Sequence, residues 1–387
     1  MAIPLKYNVR SLLVRRVSTA MTAGGIALVV AVFVIVMAMV TGIGATITDA
    51  GAPDNMVVVR RGATTETYSL MTLDQFNALR FLSGIRRDAA GNPLVSPELP
   101  VQTALQRITD HTDYIVFRGV LPVALEVHDQ VHIIAGRMFR PGLNEIIVGK
   151  GLVGIYANCA LGETVHFGRG TWQVVGIFEA QGSSFESEIW GDIHSVQDEA
   201  QRGAYYASAR LKLAPGANAG ALIQRIADDP RINLQAQSES AYYNDEATVA
   251  NQLRKLVLLV AVIMGIGAIF GAMNTMYAAV AARTVEIATL RALGFGPGAV
   301  MLSFLTESIV LALCAGAIGI VLALPMNGFS TTFLNFATFS TLAFSFRVSP
   351  AIIFGAFVFA AIMGLLGGWL PARQAMRLTV VDALRNI

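Results

Sequence analysis

Few residues in this sequence have the types and spacing that catalysis requires. The nearest approach to a phosphate-binding loop is Gly149-Lys150, but Asn144 stands at the first glycine of that motif and Gly151 at its serine or threonine. Neither an HExxH nor a GxSxG sequence occurs. His128 and His132 are four residues apart in a segment that alternates like a strand, so we do not expect them to bind a metal. We therefore expect no catalytic residue, no metal site and no cofactor in this chain.

The apolar segments also offer little chemistry, because Glu307 is the one acidic residue within them. Ion-coupled carriers place acids, histidines or lysines at membrane depth. Glu307 follows the start of its apolar segment by about two helical turns, where it could reach the interface or cap a neighbouring helix. A proton relay is the alternative. Without a relay, energy for any transport must come from a partner protein.

A short segment between two apolar stretches could receive that partner. Arg283 and Glu286 are three residues apart and can pair on one helical face. Apolar residues recur behind them, and Gly294 favours a helix end. We predict a cytoplasmic coupling helix within residues 283–298 that docks in a protein groove or on the membrane surface; a plain helical turn is the alternative. Its predicted coupling residues are Arg283, Glu286, Ile287, Leu290, Arg291, Leu293 and Gly294.

Four apolar stretches must position this helix. The chain is 54% hydrophobic and only 14% charged, whereas soluble domains are about 25% charged. About 20 apolar residues cross a bilayer as a helix. The predicted membrane helices lie at 21–47, within 239–282, at 299–325 and at 350–371. The first is longer than a signal-peptide core and lacks a clear cleavage site, so we expect it to be retained as an anchor.

Charge predicts the orientation of these helices. The segment before the first helix, the 283–298 loop and the tail at 372–387 together carry nine basic residues against two acidic ones. Arg347 is the single charged residue in the loop at 326–349. The positive-inside rule therefore places both termini in the cytoplasm. The large acidic domain between the first two helices then faces outward.

The outward domain, residues 48–238, has the pattern of a mixed α+β fold. Strands are predicted at 56–60, 114–120, 131–134, 145–148, 164–167, 172–178 and 204–213. Thr72 and Gln75 are spaced as a capping box before a helix at 73–82. A helix beginning near residue 239 is predicted to run directly into the second membrane helix as a stalk. Residues 1–20 are predicted to form an amphipathic helix on the inner leaflet.

Small residues recur at helical spacing in the later membrane helices, which lets helix backbones approach closely in lipid. They could pack the helices of one chain together or form part of a homodimer face, and the pattern does not separate these readings. The residues concerned are Gly267, Gly271, Ala312, Gly316, Ala360, Gly364 and Gly368.

Several of these stretches resemble a known family. Residues 274–276, 283–294, 306–308, 371–377 and 381–385 look like the FtsX-like permease domain. Residues 135–139, 144–149, 161–165 and 172–178 are similar to the MacB-type periplasmic core. The order of one membrane helix, an outer domain and three membrane helices also matches that family. Its glutamate in the third helix corresponds to Glu307, which favours a structural role for that residue.

The resemblance implies an ABC permease of the mechanotransmission type in the bacterial inner membrane. Two permease copies, expected to be a homodimer, would pair with two copies of a separate ATPase subunit that binds ATP and Mg²⁺. The coupling helix would correspond to residues 283–293. The periplasmic domain would consist of a porter-like part interrupted by a β-rich subdomain at about 131–201. Membrane lipid is an expected partner, and nucleic acid is not.

Three functions are compatible with this family. The first is efflux of a small amphiphile, peptide or lipid with a periplasmic adaptor and an outer-membrane channel. The second is extraction of lipid or lipoprotein from the membrane. The third is signalling to a cell-wall hydrolase without transport, although the outer domain is larger than that branch of the family usually carries.

Overall fold

The structure, a computed structural model, describes residues 16–109, 111–335 and 339–378. Most of the predicted helix at 1–20 and the closing motif at 381–385 lie outside the described residues. Within the described chain there are two compact units. We name the two units after the locations that the sequence predicts: the membrane unit comprises residues 16–41, 250–329 and 346–378, and the periplasmic unit comprises 42–249 and 330–345.

Four helices are long and apolar enough to cross a membrane, as the sequence predicts. Continuous apolar composition explains their length, since a helix satisfies every backbone polar group within itself. A shorter helix, α8, separates the second from the third. The bounds are α1 Arg16–Thr48, α7 Thr248–Ala282, α8 Thr284–Ala292, α9 Pro297–Ala323 and α10 Pro350–Arg377.

The periplasmic unit is an α+β domain inserted between α1 and α7, which confirms the predicted fold class. Its strands are β1 Asn55–Arg60, β2 Met71–Thr72, β3 Val95–Gln106, β4 Thr112–Val120, β5 His132–Gly136, β6 Glu145–Gly149, β7 Thr164–Phe167, β8 Gly170–Glu179, β9 Glu188–Asp192, β10 Tyr205–Tyr206, β11 Ser208–Lys212, β12 Leu234–Ser238, β13 Ser330–Asn335 and β14 Ser340–Ser345. Its helices are α2 Leu73–Arg80, α3 Ala124–Val127, α4 Ile193–Glu199, α5 Ala219–Asp228 and α6 Glu239–Glu246.

Ten of these strands form one sheet in the order β12-β1-β11-β3-β4-β9-β6-β8-β5, with β7 paired to β8. The β4–β9 and β6–β8 pairs are parallel, and the others are antiparallel. Strands β5 to β9, from the region predicted as a β-rich subdomain, continue the same sheet. Phe117 and Trp172 meet edge to face in its core, with ring centroids 5.0 Å apart.

Local sequence signals explain much of this domain. The capping box before α2 is confirmed: the amide of Gln75 donates to the Thr72 hydroxyl, and the amide of Thr72 donates to the Gln75 side chain. These bonds satisfy two amides at the helix start. Several other predicted strands lie within one or two residues of the observed ones.

Four boundaries differ from the sequence prediction. Helix α1 begins at Arg16, so residues 16–20 continue into the first membrane helix, which was predicted to start at residue 21. The helix that begins at Glu239 breaks at Ala247, so α6 and α7 are separate helices. The loop at 326–349 contains the β13–β14 hairpin, which belongs to the periplasmic unit and whose Ala343 amide donates to the hydroxyl of Ser187. Helix α10 continues through Pro371 to Arg377, beyond the predicted end at residue 371.

The single cysteine of the periplasmic domain provides a test of this core. Cys159 is fully buried, and burial, followed by the nearby Glu163 carboxylate, raises the pKa of its thiol from 9.0 to about 12. Because the thiolate is the reactive form, we expect folded protein to react with a thiol reagent on the order of a thousandfold more slowly than unfolded protein. Absorbance kinetics with a Cys314→Ser variant at pH 8 would measure both rates. Equal rates would contradict the burial of Cys159.

Candidate functional site

Helix α8, Thr284–Ala292, lies within residues 283–298, where the coupling helix is predicted. Arg283 interrupts the helical path between α7 and α8, and Leu293 ends α8. Gly294 follows with φ of 93°, a left-handed conformation that glycine adopts without a steric penalty. The interruption at Arg283 and the left-handed conformation at Gly294 make α8 a separate element.

Arg283 anchors the start of α8 to α9. Its Nη1 lies 2.9 Å from Oε2 of Glu307, and its Nε lies 3.6 Å from Oε2 of Glu286. The guanidinium carbon also lies 5.8 Å from the centre of the Phe304 ring. Glu307 is buried, so the ion pair satisfies a carboxylate that would otherwise be costly at this position. This contact gives Glu307 a structural partner.

The predicted apolar stripe of α8 is not one exposed surface. Ile287 is buried, Leu290 is half-buried and Leu293 is 71% exposed. Ile287 faces the bundle because three other helices surround it with apolar side chains. The cluster that contains it consists of Met276, Val280, Ile287, Val300, Phe304, Leu305, Ala372 and Ala375. Part of the stripe therefore packs α8 against its own chain.

Arg291 anchors the other end of α8 to α10. Its Nη1 donates to the carbonyl of Leu378 and, at 3.4 Å, to that of Met376. These carbonyls lie at the end of α10, where a helix leaves its last carbonyl groups without intrahelical partners. A cation there also interacts favourably with the negative end of the helix. Arginines at both ends of α8 thus connect it to two membrane helices.

The exposed surface of α8 includes two of the predicted coupling residues, Glu286 and Leu293, and one residue that was not predicted, Val285. The side chain of Glu286 is 57% exposed, and Val285 is 47% exposed. Together with Leu293 they form a face with two apolar side chains and one carboxylate. This face, which we call the α8 outer face, consists of Val285, Glu286 and Leu293.

The small residues separate into two groups. A Cβ atom added at Gly364 would lie 2.6 Å from Cβ of Ala312, and one at Gly316 would lie 2.9 Å from Cβ of Ala360. A Cβ atom added at Gly368 would lie 2.7 Å from Cβ of Ser308, whose hydroxyl donates to the carbonyl of Gly364. These residues let α9 and α10 pack closely, as small residues do in membranes. A Cβ added at Gly267 or Gly271 on α7 would meet nothing within 4 Å.

The periplasmic unit holds a second charged site that sequence analysis missed. Arg118 on β4 and Arg210 on β11 lie buried among four carboxylates. Arg118 pairs with Glu66 at 2.8 Å, Glu98 at 2.9 Å and Glu188 at 2.6 Å. We call the set the buried charge cluster. It consists of Glu66, Glu98, Arg118, Glu188, Arg210 and Glu239.

Arg210 links this cluster to α6. It bonds Glu66 at 2.6 Å and Glu98, and its Nε lies 2.9 Å from Oε1 of Glu239 at the start of α6. Its Nη2 also donates to the Tyr243 hydroxyl at 2.9 Å. One side chain therefore holds a central strand and the helix preceding α7 in a single hydrogen-bonded network.

The carboxylates of the cluster are held in their ionised form. Burial alone would raise the pKa of Glu98, but Arg210, His128 and Arg118 together lower it well below 4.5. Burial would also raise the pKa of Glu66, but the positive charges of Arg210 and Arg118 outweigh burial and lower it. The Nε2 atom of His128 lies 2.7 Å from Oε1 of Glu98, so this ring belongs to the network. No metal-binding group of three His, Cys, Asp or Glu residues occurs in the described part of the chain.

Comparison with known families matches both units. Residues 19–229 match the MacB-like periplasmic core domain, and residues 258–380 match the FtsX-like permease C-terminal domain. The first match alone covers more than half of the chain.

Several similar proteins are named macrolide export ATP-binding/permease protein MacB. The macrolide export ATP-binding/permease protein MacB of Escherichia coli K12 is 29% identical over 233 residues, covering 58% of this chain and 35% of that protein. MacB of Chromobacterium violaceum is 37% identical over 140 residues, covering 35% and 21%. MacB of a Shewanella species is 27% identical over 239 residues, covering 59% and 35%. The chain spans about a third of the length of the relatives it matches most extensively.

Two solved structures of extracytoplasmic domains also match part of this chain. The periplasmic region of MacB from Actinobacillus actinomycetemcomitans covers 50% of this chain and 92% of its own, with 14% identity and a TM-score of 0.39. The extracellular domain of the transporter YknZ from Gram-positive bacteria covers 47% and 99%, with 14% identity and a TM-score of 0.35.

Proposed function

We propose that this chain, which belongs to the MacB-like and FtsX-like permease family of ABC transporters, converts ATP hydrolysis at the cytoplasmic side into movement of its periplasmic domain. A separate ATPase subunit would bind ATP and Mg²⁺ and dock on the α8 outer face. The observation that carries the proposal is the attachment of α8 by Arg283 to α9 and by Arg291 to α10. A push on α8 would then move both helices.

Two copies of the chain would pair in the bacterial inner membrane, with both termini in the cytoplasm. The open glycines of α7, Gly267 and Gly271, support a role for that helix in pairing. Its many exposed apolar side chains are compatible with contact to a second copy and to lipid. Symmetric pairing is the commonest form of assembly and would give each copy one ATPase.

Efflux with a periplasmic adaptor and an outer-membrane channel is the leading use of this movement. Extraction of a lipid or lipoprotein is a second candidate, and a groove between α1 and α7 favours it. The groove has a volume of about 160 Å³ and a wholly apolar lining that includes Val29, Phe33, Val260 and Met264. An acyl chain would fit such a lining without leaving a polar group unpaired.

Spin labels on the periplasmic domain would test the movement. Arg169→Cys in a Cys314→Ser background places one accessible thiol on the exposed β7–β8 turn, because Cys159 is buried. In a complex of two copies with the ATPase, we expect the distance between the two labels to change when ATP is trapped by vanadate. The same experiment with an ATPase that cannot bind ATP is the control. Identical distance distributions in both states would contradict the proposal.

A further inference from the structure

Two clefts of the periplasmic unit meet at helix α6. The larger has a volume of about 540 Å³ and the other about 380 Å³, and both are lined by Tyr242 and Glu246. We call the smaller one the α6 cleft. Volumes of this size are typical of sites for small organic molecules. No residue of the α6 cleft belongs to the α8 site.

The walls of the α6 cleft combine an apolar surface with carboxylates. Phe167, Leu342 and Tyr242 provide apolar and aromatic surface, and Glu66, Glu188, Glu199 and Glu246 provide four carboxylates. Two guanidinium groups also line it, those of Arg118 and Arg202. The charge of Arg118 is already committed to three carboxylates of the buried charge cluster. Because Glu66 and Glu188 are two of those carboxylates, the charges left in the lining are Glu199 and Glu246 against Arg202, and the cleft is acidic overall.

Glu246 is the carboxylate with the least compensation. Its Oε1 accepts a hydrogen bond from Asn335 Nδ2 at 2.9 Å, but among the described residues no cationic group lies within 4.0 Å of it. It ends α6 beside Asp245, and no basic residue occupies that last turn. Negative charge at the carboxyl end of a helix is electrostatically unfavourable. Burial raises the pKa of Glu246 despite the hydrogen bond from Asn335, and the Glu66 carboxylate raises it further.

The adjoining cleft, which shares Glu246 with the α6 cleft, contains a polar atom without a hydrogen-bond partner in the described part of the chain. The Thr65 hydroxyl oxygen is buried and has no hydrogen-bond partner among the described residues, and Thr65 lines the cleft on the other side of Glu246. A buried polar atom without a partner costs free energy unless a ligand or water satisfies it. A threonine hydroxyl can donate or accept and an ionised carboxylate only accepts, so a ligand with a donor group could bond to both.

We propose that the α6 cleft binds an organic cation, with an amine or amidine group beside Glu246 and an apolar body against Tyr242, Phe167 and Leu342. The cation would offset the negative end of α6 and form a charge-assisted hydrogen bond with Glu246. A bare metal ion fits less well because the described residues contain no metal-ligating cluster. Helix α6 ends one residue before α7 begins, so occupancy could be reported to the membrane; that step rests on the proposed function.

Binding can be measured without ATP or an ATPase, so its outcome is independent of the proposed transport mechanism. The full chain is placed in nanodiscs with a Trp369→Phe substitution, which leaves Trp172 and Trp190 of the periplasmic unit as donors. The probe is dansylcadaverine, a primary amine on an aromatic body. Because both remaining tryptophans lie in the periplasmic unit, energy transfer from tryptophan to the dansyl group detects probe bound to that unit rather than probe dissolved in the bilayer. Neutral dansylamide is the matched control ligand.

We expect saturable energy transfer with dansylcadaverine and an at least tenfold higher Kd in the Glu246→Gln variant. Tenfold corresponds to about 1.4 kcal/mol, a reasonable size for a charge-assisted bond. Glutamine keeps the shape and can accept the Asn335 bond, so the fold should be retained, which an unchanged tryptophan spectrum would verify. Glu126→Gln, an exposed change on α3 outside both clefts, should leave the Kd unaltered. Equal Kd values for Glu246→Gln and Glu126→Gln, or equally tight binding of dansylamide, would overturn the proposal.

Discussion

Replacing Arg210 by methionine is expected to destabilise the periplasmic domain by about 3–5 kcal/mol, the usual effect of removing one partner from a buried ion pair. Arg210 is fully buried and contacts Glu66, Glu98 and Glu239. Without it, Arg118 would be the one arginine left among the four carboxylates of the cluster. Chemical denaturation followed by tryptophan fluorescence would measure the loss, because Trp190 Nε1 donates to Glu188 at 2.8 Å.

A surface arginine supplies the control for this experiment. Arg231 pairs with Asp229 at 2.5 Å but is exposed, so Arg231→Met should change the transition little. A second substitution tests the mechanism: adding Glu98→Gln to Arg210→Met removes one uncompensated charge and should recover part of the stability. If Arg210→Met unfolds at the same denaturant concentration as Arg231→Met, the cluster does not stabilise the domain.

The same cluster predicts how the domain responds to acid. The pKa values of Glu66 and Glu98 are lowered from 4.5 in the folded domain, so the unfolded chain binds protons more readily than the folded one. Their contribution is complete above pH 4.5 and is lost as pH falls toward the folded pKa values. We expect these two glutamates to make a constant contribution to the free energy of unfolding between pH 6 and 7. Below about pH 4.5 the free energy of unfolding should decrease. Denaturation at a series of pH values would show a decrease in the wild type that is smaller in Arg210→Met.

The sequence predicted the membrane helices and the fold class because both depend on local composition and periodicity. Continuous apolar runs identify the four helices, and the Thr72–Gln75 spacing identifies the start of α2. Strand β3 was missed because it contains Pro97 and Pro100, which normally exclude a central strand. In the structure, residues before Leu99 are in register with β11 and those from Leu99 onward with β4. Each proline therefore lies where only one neighbouring strand is paired in register.

The two charged sites show what periodicity does not reveal. Arg210 lies between Ala209 and Leu211 in a short strand. This alternation of polar and apolar residues normally predicts that the charged side chain is exposed. The burial of Arg210 depends on carboxylates from three other segments, Glu66, Glu98 and Glu239, which only the tertiary structure brings together. Ile287 illustrates the same problem in α8. The sequence predicts an apolar face, but it does not reveal whether that face packs against helices of its own chain or against a partner protein.

Substituting aspartate for Leu293 is expected to weaken association with the ATPase roughly thirtyfold, the effect of about 2 kcal/mol at an interface hot spot. Leu293 is 71% exposed on the α8 outer face, so the change should not disturb the subunit's own packing. Glu286→Lys on the same face should act in the same direction by reversing its charge, but it also places a cation beside Arg283, whose Nε lies 3.6 Å from the present carboxylate, so Leu293→Asp is the variant that isolates docking. Co-purification and titration of the ATPase against nanodisc-bound permease would give the two affinities. Leu293→Met and Glu286→Gln are the conservative controls and should retain most of the binding.

A different result is expected at Arg291, because its side chain contacts α10 rather than a partner. Arg291→Gln should leave the affinity for the ATPase within about threefold while lowering the ATP-driven distance change between the periplasmic labels, since the bonds to the carbonyls of Met376 and Leu378 would weaken. Leu293→Asp and Glu286→Lys would thus lower the affinity for the ATPase, whereas Arg291→Gln would lower the ATP-driven movement of the periplasmic domain. Normal association in both Leu293→Asp and Glu286→Lys would show that the ATPase docks elsewhere. A full distance change in Arg291→Gln would show that α8 transmits force without this connection to α10.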